Sequence, residues 1–189
     1  MINLNETEVN TAGAYVSVNG LYPFVVGSRL HNNKIPVIRL GGHVEAGETG
    51  WQCAAREVYE EANLKVTPMM PGTTYWVDGH HLETQLRKVQ WQHRVHHKVT
   101  PILAVSYWRA DQASLSLMYL AQASKLPTPS AEVTGMLLLD QAAIHRLCEE
   151  PLTLGQYPSD GGRAILREAF NEDLGLEPFI QLRLLSRIL

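Results

Sequence analysis

Gly42-His43-Val44-Glu45-Ala46-Gly47-Glu48, then seven residues, then Arg56-Glu57-Val58-Tyr59-Glu60-Glu61-Ala62-Asn63-Leu64, is the stretch on which the reading of this chain turns. Within it, Thr49 followed three residues later by Gln52 is a capping-box pattern, which predicts a helix start there. Asn63 tolerates the left-handed backbone conformation and predicts the helix end. At about 100° per residue, Trp51, Ala55, Val58 and Ala62 share an apolar side. Glu57, Glu60 and Glu61 fall on the opposite side, at i, i+3 and i+4. Carboxylates this close repel, each contacting pair costing roughly 1 kcal/mol in water and about 4 kcal/mol at an effective dielectric of 20. A helix gains nothing structural from the cluster. A hard divalent cation offsets it, because Mg²⁺ and Mn²⁺ favour oxygen ligands and bridge carboxylates to phosphates. Arg56 stands i, i+4 from Glu60, with Glu48 at the helix entrance as a second acid for its rigid fork of donors.

Upstream, Arg39-Leu40-Gly41-Gly42 leads from a strand into this segment. Its glycines let the backbone approach an ion or phosphate, and a main-chain carbonyl there is a further oxygen ligand. The whole pattern resembles the Nudix box: Gly, five residues, Glu, seven residues, then Arg-Glu-aliphatic-x-Glu-Glu-x-Gly-aliphatic. One position departs from it, Asn63 standing where the family has Gly. The resemblance covers the 23 residues from Gly42 to Leu64. It implies that Glu57, Glu60 and Glu61 bind metal, with the Gly41 carbonyl joining the shell, and that Arg56 and Glu48 form an orienting pair. It implies hydrolysis of a diphosphate linkage in a nucleoside diphosphate derivative, dependent on Mg²⁺ with Mn²⁺ as a substitute. The catalytic base varies in the family, so a box glutamate and a later acid such as Glu132 both stand as candidates. The fold implied is α+β, an α/β/α sandwich with a mixed central sheet, here with extra C-terminal helices.

Outward from the box, strands are expected at Ala14 to Val18, Leu21 to Ser28 and Pro36 to Leu40, the last halted by Gly41-Gly42. Further strands are expected at Thr73 to Asp78, Pro101 to Trp108 and Glu132 to Leu139. Asp140 caps a helix running to about Glu149. Gly155 to Gly162 reads as a loop, Asp160 as the cap of a last helical region, and Leu176 to Leu189 as an amphipathic helix. With 189 residues and 45% hydrophobic content, one domain over 1–189 is expected, its residues from about 140 forming a C-terminal helical extension. No repeat or low-complexity segment interrupts it.

A formal net charge of −3 gives no global positive field, which disfavours a nucleic-acid polymer and leaves a small anionic molecule as partner. The start of the chain lacks a basic, apolar leader and no run suits a bilayer, so a cytoplasmic protein without membrane contact is expected. Cys53 and Cys148 lack disulfide or metal spacing, and Cys53 reads as a packed thiol. Arg29 and Arg39 are candidates to reach substrate phosphate, against the plainer reading of surface arginines. Trp51, Tyr59, Tyr75 and Trp76 read as packing residues. His80, His81, His93, His96 and His97, with Arg87, Lys88, Arg94 and Lys98, read first as a solvated insertion, then as a basic lid, and last as a metal site. The apolar C-terminal residues pack on the domain or against a second subunit of a homodimer. The rival function is a non-catalytic ligand-sensing or partner-binding module, against which three retained glutamates argue.

Overall fold

The computed structural model describes residues 7–92, 98–109, 112–159 and 161–189. Among these residues the strands form two sheets, of seven and five. The larger runs β4 (Leu40–His43), β1 (Glu8–Ser17), β9 (Gln112–Gln122), β8 (Leu103–Arg109), β6 (Thr74–Asp78), β7 (Arg87–Val89), with β5 (Thr67–Met69) paired to β9. It is mixed: β1 lies parallel to β9, and β6 to β8, while β4 and β8 run antiparallel to their neighbours β1 and β9. The smaller sheet runs β11 (Arg163–Leu166), β10 (Gly135–Leu139), β2 (Tyr22–Val26), β3 (Ile35–Ile38), β12 (Leu176–Pro178).

Period-two alternation assigns each strand's residues to two cores. On β1, Ala12, Ala14 and Val16 point to one face and pack under α1 (Gly50–Ala62), with Cys53, Ala54, Val58 and Ala62. Tyr15 points to the other, where Val105 and Met118 meet Phe24, Val26 and Leu137 of the smaller sheet. Ile144 and Leu147 of α2 (Gln141–Glu149) and Leu182, Leu184 and Leu185 of α4 (Ile180–Ser186) close that core. Helix, mixed sheet, then sheet and helices is the α+β layering expected. No helix among the described residues is long and apolar enough to cross a membrane.

Several local expectations are corrected. Gly41-Gly42 does not halt the third strand; the chain breaks at Arg39 and resumes as β4, with Gly41 opposite Gly13 of β1. Gly41 has φ 142°, and a Cβ there would strike the Ala12 carbonyl and the Arg39 guanidinium, so the two backbones meet closely only because neither glycine has a side chain. The C-terminal stretch is not one helix. Leu176–Pro178 extends alongside β3, and only Ile180–Ser186 is helical. Residues after 160 form β11 rather than a helix, and the expected Asp160 cap lies outside the described residues. Gln156–Ser159 is a single helical turn, α3, inside the expected loop. On α1 the buried stripe runs through Cys53 and Ala54 rather than Ala55, and Tyr59 is 52% exposed.

The helix ends match their sequence signals. The Thr49 hydroxyl accepts from Gln52 N at 3.2 Å, and the Gln52 side chain accepts from Thr49 N at 2.8 Å. Asn63 adopts φ 53°, its N–H donates to the Tyr59 carbonyl, and its side-chain amide donates to the Thr128 carbonyl at 2.8 Å. Left-handed backbone costs a β-branched residue about 1–2 kcal/mol and glycine nothing. Asn63→Val is therefore expected to unfold at clearly lower urea than Asn63→Gly. Equal midpoints for the two variants would show that helix termination does not rest on this conformation.

Candidate active site

One guanidinium gathers the acids of the box. Arg56 donates from Nε to Glu48 Oε1 at 2.8 Å, from Nη1 to Glu57 Oε1 at 2.9 Å and Glu60 Oε2 at 2.8 Å, and from Nη2 to Glu48 Oε2 at 3.1 Å. Nη2 also reaches the His43 carbonyl at 3.0 Å, tying the helix to the end of β4. Hydrogen bonds and ion pairs from Glu48 first, then Glu57 and Glu60, hold Arg56 protonated well above its ordinary range. In return Arg56 holds the Glu48 carboxyl below the usual carboxylate value. Glu48 also accepts the Glu45 N–H at 3.0 Å, so its oxygens are committed to fixing the strand-to-helix connection.

The third box acid is held differently. Glu61 Oε2 accepts the Gly41 N–H at 2.9 Å, across the edge of β4. Burial pushes its carboxyl up from the ordinary 4.5 to about 7, with the Gly41 hydrogen bond opposing and the Glu57 and Glu132 charges adding to the rise. Gly42 provides the room, because a Cβ there would occupy the space of the Glu57 carboxylate. Among the described residues no three His, Cys, Asp or Glu side chains already converge as a metal cage. Arg56 and the Gly41 N–H take up the carboxylates instead.

Glu132 is brought to this end of the molecule although it is far away in sequence. Ser130 N donates to the Glu61 carbonyl and Thr128 N to that of Ala62, both at 2.9 Å, fastening the segment before β10 onto the end of α1. Glu132 itself is exposed. Arg39, a candidate for substrate phosphate whose plainer reading is a surface arginine, is 8% exposed and so not on the surface; it donates from Nη1 to the Ala12 carbonyl at 3.3 Å. Burial lowers its pKa, and the nearby Glu61 charge most strongly opposes that. Arg29 is exposed on the β2–β3 connection. Cys53 is buried with its thiol directed at the His43 carbonyl, 3.3 Å away, and burial raises its pKa, as suits a packed thiol.

A NUDIX domain family model matches residues 24–130, more than half of the chain and all of this site's box. The chain belongs to the NUDIX family. A NUDIX hydrolase from Nitrosomonas europaea is 16% identical with a TM-score of 0.45, over 73% of this chain and 60% of that one. A C. elegans Ap4A hydrolase binary complex is 17% identical with a TM-score of 0.44, over 71% and 81%. A putative nudix hydrolase family member from Chromobacterium violaceum is 15% identical with a TM-score of 0.40, over 97% and 77%. The chain thus spans less than two thirds of the Nitrosomonas protein.

The His-rich stretch of this NUDIX chain divides. His80 is described: its Nε2 lies 3.1 Å from the Trp108 carbonyl and its ring stands edge-on to Tyr107, with centroids 6.4 Å apart. His81 lies 4.0 Å from Glu83, and Arg87 sits over Trp76 at 5.5 Å. His93, Arg94, His96 and His97 lie outside the described residues. Sequence reasoning did not single out Tyr107, whose burial-raised pKa the Arg39 charge opposes, or the Thr11–Ser116 hydroxyl pair, joined at 2.8 Å. The signal was the Ser114-Leu115-Ser116-Leu117 alternation, which marks β9 and its polar face.

The raised Glu61 pKa has a stability consequence. A carboxyl whose folded pKa exceeds its unfolded one is stabilising below about 4.5, and that contribution is lost as pH rises through about 7. Without divalent cation, Glu61→Gln is therefore expected to gain thermal stability over the parent at pH 8 and much less at pH 5. A gain independent of pH would show that the carboxyl is not held in its neutral form.

Proposed function

We propose that this NUDIX enzyme hydrolyses the diphosphate linkage of a nucleoside diphosphate derivative, with Mg²⁺ as its cation and Mn²⁺ as a substitute. The observation that carries this reading is the Arg56 clamp, which sets Glu57 and Glu60 side by side on one helix face next to Glu61. Three like-charged carboxylates at this density serve a ligand rather than the helix, because the buried stripe of α1 already holds it in place.

The donors fit a hard cation. Glu57, Glu60 and Glu61 present carboxylate oxygens, the Glu60 side chain is 45% exposed, and the backbone of Gly41 lies beside Glu61. These three glutamates, with the Gly41 carbonyl, would hold Mg²⁺ in this reading. When bound, the cation supplies charge neutralisation on the diphosphate and its leaving oxygen. Arg56 and Glu48 orient the acids, so that the carboxylates are placed before substrate arrives. A box glutamate or Glu132 accepts the proton of the attacking water; Glu132 is exposed and near enough to raise the Glu61 pKa. Arg39, buried beside Glu61, and Arg29, on the exposed β2–β3 connection, supply positive charge for phosphate. The partner is a small molecule and not a nucleic-acid polymer. A reducing, cytoplasmic compartment suits the two free thiols.

Purified protein with Mg²⁺ and a panel of nucleoside diphosphate derivatives tests this. Release of two phosphorylated products is expected from at least one member, with Glu60→Gln folded and slower by about 100-fold or more. No turnover with any member, accompanied by ligand-induced stabilisation, would establish the sensing module instead. Near-parent rates in both Glu60→Gln and Glu61→Gln would overturn the assignment of the box glutamates to the reaction.

A further inference from the structure

The C-terminal helix grips a part of the chain far from it in sequence. Leu182, Leu184 and Leu185 bury α4 in the core, and the chain leaves the helix at Arg187. Arg187 is exposed, yet its guanidinium is not left to water. Nη1 donates to the Leu82 carbonyl at 2.6 Å, and Nη2 donates to the Thr84 carbonyl. The planar fork thus spans two carbonyls of one connection, residues 79–86 between β6 and β7. That connection is longer than the about two to five residues that close an antiparallel hairpin. His81, Glu83, Thr84 and Gln85 are exposed, and half-buried Leu82 and Leu86 supply the apolar contacts to the core. The hydrogen bonds inside the turn are local: Thr84 N donates to the His81 carbonyl and His80 N to Asp78 Oδ1, both at 3.0 Å. Arg187 ties this turn to a buried element.

The other end of the connection lies at the candidate site. Gly79 N donates to the Ser106 carbonyl at 2.7 Å, and a Cβ on Gly79 would strike the Tyr107 ring, so the backbone approaches that ring closely. His80 follows, edge-on to Tyr107 and with Nε2 3.1 Å from the Trp108 carbonyl. Tyr107 is near enough to Arg39 to feel its charge, and Arg39 in turn feels that of Glu61.

We propose that Arg187 is a positioning residue for the hydrolysis: by holding the Leu82 and Thr84 carbonyls it fixes the β6–β7 connection, and with it His80 against Tyr107 at the border of the site. The C-terminal helix then sets how well substrate is held, while the box acids carry the chemical step. This rests on the diphosphate-hydrolase reading and adds to it a residue remote from the box. Because the contact acts on the connection and not on the acids, it bears on KM rather than on kcat.

Steady-state kinetics on the panel member that the parent turns over best, with amide hydrogen exchange in the absence of substrate, test this. Arg187→Met is expected to raise KM by about fivefold or more with kcat within about twofold of the parent. Its Gly79 and Thr84 amides are expected to exchange about fivefold faster or more, while the amides of α1 keep parent rates. Arg187→Lys, which replaces the fork by a single point of donation, is expected to fall between the two. Arg183→Met is the control: Arg183 Nε donates within its own segment, to the Pro178 carbonyl at 2.8 Å, so its loss is expected to leave KM and both amides unchanged. Arg187→Lys keeps the test decisive if Arg187→Met does not fold. Parent KM in the Arg187 variants, unchanged exchange of Gly79 and Thr84, or a rise in KM matched by Arg183→Met would each overturn the proposal. So would a fall in kcat accompanied by faster exchange in α1, which would place the damage in the box helix. If the parent turns over no member of the panel, the hydrolase reading fails alone, and exchange of Gly79 and Thr84 still decides whether Arg187 fixes the connection.

Discussion

Like charges crowded on one side of a helix must be held by something, and here Arg56 does it. Its guanidinium reaches three carboxylates and a strand-end carbonyl at once, which a lysine ammonium on a flexible stem does not do with fixed geometry. The same contacts join three pieces of chain: β4 through His43, the connection through Glu48, and α1 through Glu57 and Glu60. The site and the local fold are therefore one construction. The apolar stripe beneath α1 fixes where the helix lies, and Arg56 fixes how its acidic side is arranged.

Glycine makes the second half of that construction. Gly13 and Gly41 face each other across β1 and β4, and Gly42 leaves room for the Glu57 carboxylate. With side chains at these positions, the edge of β4 would stand away from β1 and Glu61 would lose the Gly41 N–H. Small residues on a sheet edge thus set the reach of acids on a helix. The burial that follows raises the pKa of the Glu61 carboxyl to about 7, a perturbation of the kind that accompanies a binding site.

Much of this was legible in the sequence because its signals are local. The Thr49–Gln52 box, the Asn63 end, the Asp140 cap and the i, i+4 relation of Arg56 to Glu60 are each set within a few residues. The box spacing carried the family. What sequence left hidden depends on long-range pairing. β9, the long strand beside β1, was not anticipated, although its Ser-Leu alternation was present. β12 and α4 were merged into one helix because an apolar stretch is ambiguous until β3 claims three of its residues. Arg39 gave no sign of burial, since its position beneath Glu61 depends on the glycine pair opposite. Glu132 reached the box end only through the backbone bonds of Thr128 and Ser130 to α1.

The central claim is that the glutamates set out by Arg56 are the seat of a divalent cation. Crystals grown with Mn²⁺ and measured at its absorption edge address it directly, since the anomalous signal locates the metal without reference to activity. The account predicts a peak in contact with carboxylate oxygens from at least two of Glu57, Glu60 and Glu61. Manganese bound only elsewhere on the chain, with those oxygens still engaged by Arg56 and Gly41 alone, would contradict it.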